Sequence, residues 1–168
     1  VNAYDDGHST GYLREVFNIL GPSDCRKNVE NLLLGSLDDE IKKFFSARSL
    51  ENQTFNGLAD DLMRFDFNKS CQAQFELLGK LIKKTANRLK QDDLKEYKLN
   101  NCSYPNLLFS TLVESLGSFQ KAVDSYCKAF NCPPNVLVNS EDNLVLMALT
   151  CAGHFLGSES EIVEGRTS

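Results

Sequence analysis

The chain has 168 residues, 42% of them apolar, with 18 basic against 23 acidic side chains and a formal charge of −5. That length and balance suit one domain able to bury its own core, and they exclude a disordered or collagen-like chain. No apolar run approaches the ~20 residues a membrane span needs, and the acidic total disfavours nucleic acid as a partner.

Residues 1–9 are polar and acidic and read as a flexible N-terminal segment, with no signal peptide in it. Thr10–Leu20 places Leu13, Val16, Phe17 and Leu20 at helical spacing, and Gly21-Pro22 stops that helix. Ser23 caps a second helix carrying Val29, Leu32, Leu33 and Leu37, whose stripe continues past Gly35-Ser36 as Ile41, Phe44 and Phe45. Asn56-Gly57 opens a short helix with Leu58, Leu62 and Phe65, and Asp66 to Ser70 reads as a turn. Ser70 to about Lys90 is a long helix burying Phe75, Leu78, Ile82, Thr85 and Leu89. Pro105 fits the first turn of the next, which runs to Phe130 through Leu112, Leu116, Phe119, Val123 and Tyr126. After the break at Cys132-Pro133-Pro134-Asn135, Ser140 starts a last helix with Leu144, Ala148, Cys151 and Phe155. Residues 158–168 read as a flexible tail whose end, Val163 to Ser168, looks non-native. The predicted fold is all-α, an irregular, disulfide-stapled bundle of six to eight helices in a single domain over residues 10–157.

Six cysteines (Cys25, Cys71, Cys102, Cys127, Cys132, Cys151) form no CxxC, and with two histidines they offer no zinc ligand set. An even cysteine count together with sequons at Asn52, Asn68 and Asn101 predicts three disulfides and a secreted, extracellular glycoprotein. Which cysteines pair stays open. Cys25 with Cys71 would tie the N-terminal helices to the long one, and Cys127 with Cys132 would close a small loop.

Catalytic signatures are scarce. His8 reads as a solvated tail residue and His154 as a helix C-terminal residue, and neither has a nucleophile or orienting carboxylate in a recognisable motif. Gly-rich phosphate loops, GxSxG and HExxH are absent from the sequence, so no enzyme, cofactor or metal is expected. Asp38-Asp39-Glu40 and Asp60-Asp61 read as helix-start acids. The eleven Phe, among them Phe44, Phe45, Phe65, Phe67, Phe75 and Phe119, suit a bundle core. Charge is uneven: Lys80 to Lys98 holds seven basic residues against three acidic ones. Lys80, Lys83, Lys84, Arg88 and Gln91 share one face of the long helix, a solvated face or a docking surface for an acidic partner.

Three stretches carry a resemblance: Tyr12-Leu-Arg-Glu-Val-Phe-Asn-Ile-Leu20, Cys71 with Leu78-Gly-Lys-Leu-Ile-Lys-Lys84, and the helix between Cys102-Ser103 and Cys127. Over residues 10 to 132 the chain resembles the C-terminal domain of the aegyptin-like mosquito salivary antigens, the family of the anopheline antiplatelet protein. The resemblance implies a non-enzymatic salivary inhibitor of haemostasis that binds collagen, an extracellular host protein, and blocks platelet adhesion and aggregation; the chain itself is expected to be a monomer. It also implies an acidic repeat ahead of this domain, of which Asp5-Asp6-Gly7 would be the remnant. Alternatives are a helical, cytokine-like receptor ligand and a carrier of a small apolar ligand.

Overall fold

The computed structural model describes residues 8–33, 39–64, 72–91, 99, 101–133, 136–142 and 144–164. Among them are eight helices and one two-stranded sheet, so the chain is mostly helical, as its periodicity predicts. Helix α1 (His8–Phe17) ends before its apolar stripe does. Asn18 takes a left-handed φ of 49° and Ile19 N donates to Arg14 O at 3.2 Å, a helix-ending turn that sends Ile19 and Leu20 into the core. Helix α2 (Pro22–Leu33) starts on Pro22, where a missing N–H is harmless, with Asp24 facing the positive end of its dipole. Leu32, counted in its stripe, is exposed.

Helices α3 (Asp39–Ser46), α4 (Phe55–Arg64) and α5 (Gln72–Gln91) follow. Thr54 Oγ1 accepts from Gly57 N at 3.1 Å and closes the start of α4. α4 and α5 approach closely at Gly79, where a Cβ would stand 2.8 Å from Met63 Cγ and 3.4 Å from Ala59 O. Residues 47–53 run beside 99 and 101–104, with Ser49 N donating to Cys102 O at 2.7 Å and Leu99 N to Gln53 O at 2.8 Å.

The segment from Pro105 to Phe130 is two helices rather than one: α6 (Tyr104–Leu116) and α7 (Phe119–Ala129). Gly117, at φ 63°, ends α6 with its N–H on Val113 O at 2.9 Å, and Ser118 caps α7 by accepting from Lys121 N at 3.3 Å. α6 is the centre of the fold. Every residue from Tyr104 to Val113 is buried, and the helix packs against α1, α2, α3, α5 and α7. Rings run through the core from Phe45 to Phe130 (4.9 Å between centroids), Tyr126 (4.8 Å), Phe109 (5.6 Å) and Phe119 (5.1 Å). Phe65 and Phe67, and the side chain of Phe75, lie outside the described residues.

One polar cluster crosses this core. Arg26 Nε donates to Asn106 Oδ1 at 2.5 Å, Arg26 Nη1 pairs with Glu30 at 2.6 Å, and Tyr126 OH donates to Glu30 Oε1 at 3.0 Å, joining α2, α6 and α7. Burial pushes the Glu30 carboxyl above the usual range despite Arg26 beside it.

Two further expectations fail. The last helix is an extended segment leading into a hairpin, β1 (Ala148–Leu149) against β2 (Phe155–Leu156), followed by a short α8 (Glu159–Glu164). Leu144 to Leu149 is apolar at every position, so it fits any period, and Gly153 at φ 82° serves the hairpin turn. The disulfide staples are also corrected: no disulfide joins two described residues, and Cys25, Cys127, Cys132 and Cys151 are free thiols. Cys71 lies outside the described residues, as do Asn68, Asp5-Asp6-Gly7 and residues 165–168. The hydrophobic core, not cross-linking, holds the helices together.

Candidate functional site

The predicted basic face divides when its neighbours are in place. Lys80 is exposed on α5, and Lys83 Nζ turns to Asp60 on α4 at 3.3 Å. One turn further on, Arg88 Nη2 pairs with Glu114 Oε1 of α6, where the Glu114 side chain is 17% exposed. Lys84 and Arg88, at i and i+4, then border a cleft of about 480 Å³ between α5 and α6 with Thr85, Asn87, Glu114 and Ser115. Two cations thus face a wall that also carries hydroxyl and amide donors.

A second cleft, of about 270 Å³, adjoins the first through Glu114, which lines both. Phe17, Asn18 and Val113 form part of it, with Ser118 and Phe119 at the start of α7. The Glu141 carboxylate occupies that helix start, accepting from Gln120 N at 2.9 Å, Ser118 Oγ at 2.9 Å and Phe119 N at 3.2 Å. Those donors, the Gln120 amide foremost, hold the Glu141 carboxyl below the usual range.

Other candidates contribute less. Burial pushes the Cys25 thiol up to about 11 and the Cys127 thiol, beside Cys132, up to about 12, so neither is a thiolate nucleophile near neutral pH. His154 is exposed in the hairpin turn rather than at a helix end, with its N–H on Thr150 Oγ1 at 2.9 Å. His8 opens α1. Asn52 and Asn101 are exposed turn residues with left-handed backbones. Among the described residues no group of His, Cys, Asp and Glu is placed to hold a metal, and no helix is long and apolar enough to cross a membrane.

Sequence spacing finds Lys84 and Arg88 but misses Glu114 and Ser115. They come from another helix, where Glu114 follows the buried run Tyr104–Val113 and precedes exposed Ser115, so no charge spacing marks either.

A family model described as 2-phospho-L-lactate transferase CofD matches residues 1–168. No curated protein and no solved structure matches the chain. A full-length match to a transferase family overrides a resemblance carried by three short stretches, and it corrects several expectations together. The salivary-antigen kinship, the non-enzymatic collagen-binding function, the haemostatic role and the extracellular protein partner all give way to an enzyme family named for a small molecule. The receptor-ligand and apolar-carrier alternatives fall with them. The two clefts gather residues from α1, α5, α6, the start of α7 and Glu141, so no contiguous motif marks them in the sequence.

Proposed function

The chain belongs to the 2-phospho-L-lactate transferase CofD family, and on that premise we propose that it is a transferase that holds 2-phospho-L-lactate in the cleft between α5 and α6. The observation that carries this reading is the junction of two clefts at Glu114, one of them bordered by Lys84 and Arg88.

The chemistry of the substrate asks for such a wall. A phosphate monoester carries about −1.5 to −2 near pH 7, and the lactate carboxylate adds another negative charge. Lys84 supplies a compact point charge, while the planar Arg88 fork matches phosphate oxygens in pairs. A guanidinium has five donors, so Arg88 can bridge Glu114 and an incoming phosphate at once. Asn87, Thr85 and Ser115 add neutral donors. Group transfer also needs its two reactants side by side, and the adjoining cleft offers the second position. In this arrangement Glu114 is a positioning residue, orienting Arg88 from the shared wall.

Calorimetric titration of the purified chain with 2-phospho-L-lactate tests the reading. Saturable binding is expected, weakened by salt and about tenfold or more by Lys84→Ala or Arg88→Ala. Lys80→Ala, outside the cleft, should leave it unchanged. No binding to the unsubstituted chain, or an equal loss in Lys80→Ala, overturns the assignment.

A further inference from the structure

We infer that Cys127 and Cys132 form a dithiol modification site at the end of α7, which a low-molecular-weight disulfide oxidises to an intrachain disulfide. The backbone sets the pair up. Cys132 N donates to Cys127 O at 2.8 Å, Asn131 N donates to Lys128 O at 3.3 Å, and Asn131 takes a left-handed φ of 53°. Two such bonds around a left-handed residue end a helix in a way that brings the side chains at their outer positions together, ordinarily as an apolar contact. Here both outer positions are cysteine, and both are thiols. The helix end itself thus places one sulfur beside the other. Their closeness is felt by Cys127: burial first, and then the neighbouring Cys132 thiol, pushes it up to about 12.

A cleft of about 520 Å³ reaches this helix end, lined by both cysteines with Asp124, Lys128, Asn131 and Pro133. That volume suits a small molecule, and one charge of each sign on its wall favours a zwitterionic, water-soluble disulfide over an apolar oxidant. Closing two thiols into a disulfide removes two electrons and two protons, and the reagent's own S–S bond takes up both. Cys132 is the less deeply buried of the two, 6% exposed against 1%, and attacks first. The reagent's S–S bond breaks, a mixed disulfide forms on Cys132, and the departing thiolate leaves with the Cys132 proton as a free thiol. Cys127 then attacks the Cys132 sulfur, and its proton goes to the second departing thiolate. The products are one intrachain disulfide and two molecules of reduced reagent. Cys127 is a poor first attacker because so little of it is ionised, but contact with its target offsets that in the second step.

Incubating the folded full chain with glutathione disulfide, alkylating the remaining thiols and mapping tryptic peptides tests this. Trypsin cuts after Lys128, between the two cysteines, so a Cys127–Cys132 bridge holds two peptides together. Fragmentation then distinguishes Cys132 from Cys151 on the second peptide. The Cys127–Cys132 bridge is expected, and dithiothreitol should reopen it. Cys127→Ser should stop the reaction at a glutathione adduct on Cys132, whereas Cys132→Ser should leave Cys127 unreacted. The bridge is read in the unsubstituted chain, so a variant that fails to fold leaves the test intact. Exposed Cys151 takes up glutathione singly and shows the reagent to be active. Cys127 and Cys132 both alkylated while Cys151 carries glutathione overturns the inference. A bridge that forms only in urea, or that joins Cys127 to another cysteine, overturns it too.

Discussion

Ser110 is fully buried in the middle of α6, and its hydroxyl has no hydrogen-bond partner among the described residues. Thr111 beside it is equally buried but donates to Leu108 O at 2.8 Å. A buried hydroxyl that has lost its water without replacement costs about 1–3 kcal/mol, and alanine is the better helix former. Ser110→Ala is therefore expected to stabilise the protein by about 1 kcal/mol, read as a higher urea midpoint at unchanged slope. An unchanged or lower midpoint would show that the hydroxyl is satisfied by water. Glu30 makes the opposite point. Arg26 and Tyr126 both contact it, yet burial still outweighs them and pushes its carboxyl up. The raised carboxyl makes its contribution to stability greatest below the ordinary glutamate range, fading as pH rises through its folded value.

At the scale of elements, Gly79 decides how near α4 and α5 can come. Val in its place would gain helix propensity but drive Cβ into Met63 Cγ, and overpacking costs more than propensity returns. Gly79→Val is expected to destabilise by about 2 kcal/mol by urea titration, with part of the loss recovered in a Met63→Ala background. Helix existence was legible wherever apolar residues recur at three and four with polar ones between, as in α1, α4 and α5. The division at Gly117-Ser118 was not, because the stripe resumes at Phe119 on the far side of the break. The hairpin was not legible either: when every position is apolar, periodicity has no contrast to work with. Of the site, the half on α5 could be read from charge spacing. The half on α6 depends on which helices pack together, and a local window does not contain that information.

The molecule as a whole has two parts with different cohesion. Helices α1, α2, α3, α5 and α7 pack around α6, with α4 against α5, and the ring column and the Arg26–Glu30–Tyr126 cluster lie within that buried contact. The chain after α7 is held in another way. Gln120 receives Val138 N at 2.9 Å and gives its amide to Val136 O at 3.2 Å, Glu141 sits on the start of α7, and Arg14 reaches Leu144 O at 2.8 Å. Apart from Val136, which joins the core, these are polar tethers at or near the surface. One of them is a carboxylate whose folded value is depressed, so its contribution is present above the ordinary glutamate range and disappears as pH falls through that folded value. The consequence is an arm with an acid-operated latch. In hydrogen exchange corrected for intrinsic rates, amides of 136–149 should lose protection at about pH 3 while α6 keeps its own, and Glu141→Gln should open the arm already at neutral pH. Uniform loss across arm and bundle would show instead that the two melt together. An arm that opens alone takes the Glu141 carboxylate off the start of α7, so acidity would loosen the far wall of the second cleft.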